Sequence, residues 1–491
     1  MQMTNYHFSI CNLRFAFAIL PLSLFLSSPA RAESPLAVPV DGDPFRAELV
    51  AADAKWQLTF AAAGQQKVVP AANLVRWGQC SEQGRGDCPN FRLSENGTVP
   101  LSAAGRAETL VLADGSLLTA EVVAADKDRL TVDSNLFGTL KLPLESLAGV
   151  VFHAPSDQRR HDSLLDRLAR ASGETDRLIL DNGDELTGLF DGLADNTVTL
   201  KTDVGSVPIK SDRIVAILFN PTLRTTSTRT SHAPREEASD ADRSTLAWAA
   251  FSDGSRLLAT QLLVAGDSLK LTAAGRQLAA PRSSLVFLQP LAGRAVYLSD
   301  LKPAEYRQTP FLTLSWPYQS DRNVTGGLLR SGGRLYMKGI SVHSAARLVY
   351  NLDNLSPLPL AEKQQNNSPL PLAEGQHNNS PLPLGEGQGV RAVKQNATIQ
   401  SPEQGQGLRA ATRFDAQVGI DDSTAGQGSV IFRVMVDGQE RFASPTLRGG
   451  DAPVPVSVDV RGAKKLELLV DYADRADVLD HADWLDARLT Q

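Results

Sequence analysis

Six side chains in the last third of this 491-residue sequence could together bind a saccharide. Proteins bind sugar rings by packing an aromatic face against C–H groups and by placing fixed polar side chains against hydroxyl groups, at a site lined by loops. The candidates are Tyr318, Asp321, Arg322, His343, Asp483 and Trp484. Structural alternatives stay open: Trp484 also fits a core position, and His343 also fits a satisfied structural histidine. Asp321 and Arg322 equally fit a solvated turn.

A second group of acidic residues could hold a metal ion. Clustered carboxylates suit a hard cation such as Ca²⁺. Asp421, Asp422 and Asp480 are therefore candidates for a structural calcium site. We expect no other cofactor.

The sequence lacks the motifs of common hydrolases and phosphate-binding enzymes. It has no G-x-S-x-G, no H-E-x-x-H and no glycine-rich phosphate loop after a strand. A glycosidase needs two carboxylates roughly 5–10 Å apart across a cleft, whereas most acids here lie in turns such as Asp114-Gly115 and Asp253-Gly254. We therefore expect no enzymatic activity. The formal net charge of −6 and the absence of a basic run argue against nucleic acid as a partner.

The C-terminal third shows hydrophobic residues at every second position. Val430, Phe432, Val434 and Val436 fall on one face of a segment, and Leu466, Leu468 and Val470 repeat the pattern. Such alternation is typical of strands with one face in a core. The pattern predicts a β-sandwich.

Several motifs within this region resemble the NPCBM family of carbohydrate-binding modules. They are Trp316, Asp321–Val324, Gly332–Gly333, Tyr336, Lys338–Ile340, Val342–Ser344, Tyr350–Leu352, Phe414–Asp422, Val436–Gly438 and Asp483–Leu489. The resemblance covers roughly residues 292–353 and 411–489. It implies a galactose-binding-like jelly roll that holds sugar in its loops at one end, and it implies no catalysis.

Residues 45–290 contain a recurring pattern of strands and tight turns. We predict β units within 45–155, with a weaker first copy from Phe45 to Trp77, and single units at 174–220 and 245–290. Each unit is a meander or half-barrel, because Asp-Gly and Asn-Gly pairs suit two-residue hairpin turns. Neighbouring copies should pack together. A polar helix from Asp162 to Arg170, with Leu164, Leu165 and Leu168 on one side, is expected to cap a sheet.

Residues 1–32 have the pattern of a secretory signal peptide, with an Ala30-Arg31-Ala32 cleavage site. Their apolar run is too short to span a bilayer of ~30 Å as a helix, so no transmembrane segment is expected. We predict a secreted, periplasmic or cell-surface protein. In such an oxidising compartment Cys80 and Cys88 could form a disulfide, with two free thiols as the alternative.

Two segments read as irregular connections. Residues 221–244 are rich in Ser, Thr and charged residues and predict a flexible linker. Residues 354–410 contain three Ser-Pro-Leu-Pro-Leu repeats and predict a disordered insert, because proline removes backbone donors. Lengthening a turn to this size adds only about 2 kcal/mol of loop-closure entropy. Residues 311–353 and 411–489 should therefore share one hydrophobic interior.

The sequence thus predicts an all-β protein with tandem β units followed by a sandwich at 291–491. The favoured function is non-catalytic binding of a glycan, with a galactose-type sugar as the specific hypothesis. The alternative is a structural or protein-interaction component of the cell envelope, with envelope proteins as partners and no affinity for sugar.

Overall fold

Strands make up most of the described chain, as the period-two patterns predict. The computed structural model describes residues 34–78, 107–224, 246–291, 293–311, 314–357, 411–474 and 476–490. The prediction of an all-β fold is confirmed. The signal segment 1–32, the Cys80–Cys88 pair and nearly all of the predicted linker and insert lie outside the described residues, so these remain predictions.

Strands β1–β21 form four units with a similar order of elements. The first has β1 (Leu36–Pro39), β2 (Phe45–Arg46), β3 (Glu48–Ala52), β4 (Gln57–Ala62), β5 (Gln65–Pro70) and β6 (Leu74–Gly78). The second has β7 (Glu108–Leu112), β8 (Leu117–Ala125), β9 (Arg129–Ser134), β10 (Gly138–Pro143) and β11 (Leu147–Val151). The third has β12 (Asp176–Leu180), β13 (Glu185–Ala194), β14 (Thr197–Thr202), β15 (Gly205–Lys210) and β16 (Ile214–Leu218). The fourth has β17 (Ala247–Phe251), β18 (Arg256–Ala265), β19 (Ser268–Ala273), β20 (Arg276–Pro281) and β21 (Leu285–Pro290).

Each of the last three units curls back on itself. Its final strand pairs antiparallel with its first strand: β11 with β7, β16 with β12 and β21 with β17. Its long second strand carries a bulge and pairs with both of its sequence neighbours, for example β8 with β7 and β9. A bulge bends a strand and increases its twist, so five strands can enclose a small core.

The units also join through their final strands. β11 pairs with β16, and β6 pairs with β21, so the second unit joins the third and the first joins the fourth. Buried side chains from all four units form one hydrophobic cluster that includes Phe60, Leu110, Leu200 and Phe251.

Helix α1 (Gln158–Ala169) lies between the second and third units. It begins at Asp157, whose side chain accepts a hydrogen bond from the Arg160 N–H at 2.9 Å, an N-cap that satisfies an otherwise unpaired donor. Leu164, Leu165 and Leu168 are buried against the outer face of these two units. No helix within the described residues has both the length and the hydropathy needed to cross a membrane.

Strands β22–β37 form the C-terminal sandwich and its short additions. The first eight are β22 (Ala295–Tyr297), β23 (Leu301–Lys302), β24 (Glu305–Gln308), β25 (Gln319–Ser320), β26 (Leu329–Ser331), β27 (Arg334–Tyr336), β28 (Gly339–His343) and β29 (Ala346–Asn351). The others are β30 (Ser356–Pro357), β31 (Arg413–Ile420), β32 (Ser429–Val436), β33 (Gln439–Ala443), β34 (Leu447–Arg448), β35 (Val454–Asp459), β36 (Lys465–Tyr472) and β37 (His481–Thr490).

The sandwich consists of two antiparallel sheets around one core. One sheet has the order β25-β28-β37-β31-β35 with β22 beside β37, and the other has β24-β29-β36-β32-β33 with β34 beside β32. Residues on both sides of the predicted insert, such as Ile340, Tyr350, Phe414 and Phe432, share the core. The expected common interior is therefore present. One detail differs from the prediction: Ser356–Pro357, within the expected insert, pairs with β23 because Leu301–Lys302 offers it an open edge.

The hairpin β26–β27 and its flanking residues, 321–338, cover the outer face of the sheet that contains β28. We call these residues the docking segment. Gly419 makes the close approach possible, because a Cβ at this position would lie 2.4 Å from the Ser331 Oγ. Leu335 and Met337 pack on Ala250 and Phe287 of the fourth unit. The docking segment therefore joins the sandwich to the N-terminal units.

Candidate functional site

Several connections meet at one end of the sandwich. The turn between β28 and β29 contains Ser344 and Ala345, and the Ala345 carbonyl accepts a hydrogen bond from the Thr309 N–H at 2.9 Å, just after β24. Ala346 pairs with both Gln308 of β24 and Val470 of β36, so the segments that follow β24 and β36 leave the sheet beside this turn. The connection from β36 then returns to β37 at His481.

Three aromatic rings form a cluster at this end. The Trp316 and His343 rings are nearly parallel, with centroids 5.0 Å apart and an interplanar angle of 8°. The His481 ring lies 5.9 Å from each of them. Trp316 is half-buried, whereas both histidines are buried. We call Trp316, His343 and His481, together with the adjacent Ser344 and Asp480, the histidine cluster.

Strand register brings the two histidines together. His343 and His481 are directly opposite each other on β28 and β37. Their neighbours Val342 and Ala482 point into the core, so alternation places both imidazoles on the outer face of the sheet. Gln308 positions the tryptophan: its Oε1 accepts from the Trp316 N–H at 3.0 Å, and its Nε2 donates to the Ser344 carbonyl at 3.3 Å.

The polar atoms of this cluster are incompletely hydrogen-bonded. Asp480 Oδ1 accepts from the Ser429 N–H at 2.8 Å. His343 Nδ1, Ser344 Oγ and Asp480 Oδ2 are buried and have no partner of normal hydrogen-bond geometry within the described residues. Buried polar atoms are nearly always paired in native proteins. Three such atoms next to three clustered aromatic rings make this end of the sandwich a candidate site.

Burial sets the protonation states here. It lowers the pKa of His343 to about 4, and the nearby His481 acts in the same direction, so His343 is neutral at pH 7. Burial also raises the pKa of Asp480 to about 6, against the opposing effects of the Ser429 N–H bond and the neighbouring Ser344 hydroxyl. A neutral imidazole has one donor and one acceptor, which matches the two-way hydrogen bonding of a hydroxyl group.

Two of the six predicted saccharide residues lie in the core. Trp484 is fully buried between the sheets, where its ring contacts Phe414 and Phe432. Tyr318 is also buried and makes an edge-to-face contact with Tyr306 at 5.1 Å. Alternation along β37 points Trp484 inward, and Tyr318, in the loop before β25, packs into the same core. A role of these two residues in sugar binding stays a prediction.

Asp483 is also withdrawn from the surface. It is fully buried on the outer face of β37, opposite Ser341, beneath the docking segment. Neither carboxylate oxygen makes a hydrogen bond of normal geometry within the described residues. Burial, and next the charge of Asp421, raise the pKa of Asp483 well above its usual value. Asp483 therefore lies inside the protein, away from the loop end of the sandwich.

Asp321 and Arg322 belong to the docking segment. Asp321 accepts from Lys338 Nζ at 3.1 Å and from the Gly339 N–H at 3.2 Å. Arg322 Nε lies 3.3 Å from Asp166 of helix α1. Gly339 precedes His343 by four residues of one strand, a distance of about 13 Å. Asp321 and Arg322 therefore lie apart from His343, and their part in sugar binding stays a prediction.

The three carboxylates of the predicted calcium site bind N–H groups. Asp421 accepts from Asn323 Nδ2 and from the Arg330 N–H, both at 3.0 Å. Asp422 accepts from the N–H groups of Gly332 and Gly333, and Asp480 accepts from Ser429. No set of three or more His, Cys, Asp or Glu side chains in the described parts of the chain is arranged to hold a metal. These contacts fasten backbone segments, and the calcium site stays a prediction.

The structure places two further residues, Trp316 and His481, beside His343 in the candidate site. Trp316 is one of the sequence motifs and His481 lies two residues before the last of them, but neither was among the six candidates. The available signal was the Trp-Pro pair in a loop and a second histidine on an alternating strand. Neither of these two sequence features shows how β28 aligns with β37, and this alignment brings the side chains together.

Comparison with known proteins identifies this region. Residues 294–356 and 403–490 match the NPCBM/NEW2 domain. Alpha-1,3-galactosidase B of Akkermansia muciniphila is 40% identical over 76 residues, which are 15% of this chain and 9% of that protein. The chain therefore spans less than a tenth of that relative.

Solved structures with similarity to the chain include two modules from Clostridium perfringens. The CBM51 of GH95, in complex with methyl-galactose, is 22% identical, with a TM-score of 0.27, and the match covers 40% of this chain and 99% of that one. The CBM51-2 and INT domains of ZmpB, in complex with GlcNAc, are 23% identical, with a TM-score of 0.27, and the match covers 47% of this chain and 37% of that one. The C-terminal sandwich therefore matches the NPCBM/NEW2 domain, the family that its sequence motifs resemble.

Proposed function

We propose that this protein is an exported, non-catalytic glycan-binding protein and that the histidine cluster is its primary sugar site. The observation that carries the proposal is the stacked Trp316–His343 pair, with His481 beside it, at the loop end of an NPCBM/NEW2 domain. The half-buried indole offers an apolar face for sugar C–H groups. The neutral His343 can donate to and accept from hydroxyl groups.

A galactose-type sugar is the specific proposal. Its support is the name of the Akkermansia relative, which acts on an alpha-1,3-galactoside. That similarity covers 15% of this chain, so a direct binding measurement has to establish the sugar.

Binding without cleavage is supported by the state of the nearby acids. Glycosidases place an acid and a carboxylate across an open site. Asp480 and Asp483 are instead fully buried, and Asp480 accepts from a backbone N–H. Export is supported by the signal-like segment 1–32 and by the domain type, and we propose a periplasmic, cell-surface or secreted location.

Calorimetric titration of the full chain with methyl α-galactoside and with N-acetylgalactosamine tests the proposal. Trp316→Ala and His343→Gln should each lower the affinity at least ten-fold, with the thermal midpoint within a few degrees of wild type. Trp484→Ala should instead lose about 3–5 kcal/mol of stability, because it leaves a cavity in the core. Arg322→Ala is the matched control and should bind normally. An array of galactose- and GalNAc-terminated glycans without a single bound ligand would refute the proposal.

A second function has one observation in its favour. Buried ion pairs join the docking segment to helix α1, including Arg330 with Asp162, and they attach the sandwich firmly to the N-terminal units. Such attachment suits a structural or protein-interaction component of the cell envelope. Normal pull-down of envelope proteins by a Trp316→Ala variant, with no sugar binding by wild type, would favour this alternative.

A further inference from the structure

Exposed apolar side chains are concentrated beside the histidine cluster. Ten large hydrophobic residues are well exposed in the described parts of the chain, and four of them lie at the end of β36 or in the connections that follow β24 and β36. They are Phe311, Leu314, Tyr472 and Val478, exposed by 55, 55, 48 and 55%. Phe311 and Tyr472 are the aromatic members of the ten. Exposed apolar groups gathered at one place mark binding surfaces more often than isolated ones do.

The two aromatic rings contact each other. Phe311 and Tyr472 are edge-to-face, with ring centroids 6.3 Å apart and an interplanar angle of 80°. We call them the aromatic pair. Such a contact holds both rings in a fixed arrangement while each remains about half exposed.

Strand register places the aromatic pair next to the histidine cluster. Tyr472 lies two residues beyond Val470, which pairs with Ala346 directly after the Ser344–Ala345 turn. Phe311 lies three residues beyond Gln308, which pairs with the same Ala346. The connections that carry Phe311 and Tyr472 continue to Trp316 and His481, respectively. The segment after β24 therefore carries both Phe311 and Trp316, and the segment between Tyr472 and His481 joins β36 to β37.

Polar groups adjoin the aromatic pair. Arg448 and Asp474 form an ion pair at 2.6 Å in which both side chains are more than half exposed. Ser429 Oγ donates to the Asp474 carbonyl at 2.8 Å, two residues after Tyr472. An exposed ion pair adds little to stability, so its charged groups can exchange water for the hydroxyl groups of a ligand at little cost.

We propose that the aromatic pair is a second sugar subsite, which binds the residue next to the terminal sugar held by the histidine cluster. This inference rests on the proposed function and extends it: the ligand is an oligosaccharide of at least two residues. Aromatic faces with adjacent polar groups are the chemistry of a sugar platform. Four apolar side chains fall far short of the 20–30 residues that each partner contributes to a stable protein interface.

The test compares a monosaccharide with a disaccharide on the full chain. The probes are methyl α-galactoside and galactosyl-α-1,3-galactose, titrated calorimetrically into wild type, Phe311→Ala and Tyr472→Ala. Wild type should bind the disaccharide about three- to ten-fold more tightly than the monosaccharide. Each variant should remove this difference and leave monosaccharide affinity unchanged. Leu189→Ala, an exposed position in the third unit, is the control.

The outcomes separate this proposal from the primary one. Sugar binding that depends on Trp316 but is unaffected by Phe311→Ala and Tyr472→Ala overturns the subsite and keeps the primary site. Absence of binding to either probe by wild type overturns both. Concentration-dependent self-association in sedimentation that either variant abolishes would identify the aromatic pair as a contact between copies, and would also overturn the subsite.

Discussion

The docking segment and the histidine cluster both lie on the sheet that contains β28. They differ in how far their buried polar side chains are paired with other groups of the protein. In the docking segment, Arg330 pairs with Asp162, Arg322 with Asp166, and Lys338 with Asp300 and Asp321. In the histidine cluster, His343 Nδ1 has no partner within the described residues, and Ser344 Oγ and Asp480 Oδ2 interact with each other outside normal hydrogen-bond geometry. Asp483, beneath the docking segment, is an exception on the paired side. The sequence motifs of the family run through both regions.

This difference separates two uses of similar residues. Where charges are buried and paired, removal of one partner leaves the other charge buried without compensation. Such a pair therefore holds two elements together. Where donors and acceptors are buried but unpaired, a ligand can supply the missing partners at a gain. The candidate residues of the sequence divide along this line: Asp321 and Arg322 fall on the first side, and His343 falls on the second.

The largest expected effect is in the docking segment. Arg330→Ala removes the guanidinium that donates to both carboxylate oxygens of Asp162, and both side chains are almost fully buried. Breaking such a pair should cost about 3–5 kcal/mol, measured by urea denaturation. Arg461→Ala, which breaks the exposed pair with Asp459, should cost less than about 1 kcal/mol. Equal losses in the two variants would remove the distinction between the regions.

The titration of His343 and Asp480 in the histidine cluster should make the free energy of unfolding depend on pH. The pKa of His343 is lowered to about 4, so its contribution to stability is lost as pH falls from 6.5 towards 4. The pKa of Asp480 is raised to about 6, so its contribution is lost as pH rises from 3.8 towards 6. Between pH 4 and 6 the two slopes oppose each other, and their sum in wild type is small.

Replacing one of the two residues should leave only the pH dependence of unfolding free energy that the other residue causes. Between pH 4 and 6, Asp480→Asn should gain about 2 kcal/mol of unfolding free energy with rising pH, and His343→Gln should lose a similar amount, once solvent screening is allowed for. Denaturation curves at pH 4, 5 and 6 measure both. Parallel slopes in the two variants would contradict the assigned protonation states.

The smallest expected change in stability is that of Arg322→Ala, which tests whether Arg322 belongs to the docking segment alone. Arg322→Ala removes one partner of Asp166, but Arg170 remains 2.6 Å from the same carboxylate. The expected loss of stability is therefore about 1 kcal/mol or less, and the affinity for sugar should equal that of wild type. A loss of sugar affinity in this variant, measured by calorimetry, would contradict this prediction and show that Arg322 takes part in sugar binding.

The sequence predicted what depends on local periodicity. Val430, Phe432, Val434 and Val436 alternate, and all four are buried as expected. Leu164, Leu165 and Leu168 define the buried face of helix α1. These features follow from the geometry of single strands and helices, which a pattern of apolar residues records directly.

Long-range pairing could not be predicted in the same way. Alternation alone does not say whether Trp484 points inward, because a shift of one residue exchanges the two faces of a strand. The partnership of Arg330 with Asp162 spans 168 positions and depends on how the sandwich meets helix α1. The stacking of Trp316 on His343 depends on Gln308, whose side chain holds the tryptophan backbone.

The position of β37 has a consequence for biosynthesis. This strand is central to its sheet and pairs with β22, β28 and β31, yet the ribosome makes it after all three. Until it emerges, β28 and β31 each expose an unpaired edge and the core lacks Trp484, so the domain cannot mature co-translationally in stages. Closure of the sandwich around its core therefore waits for the last ten residues of the domain to be made.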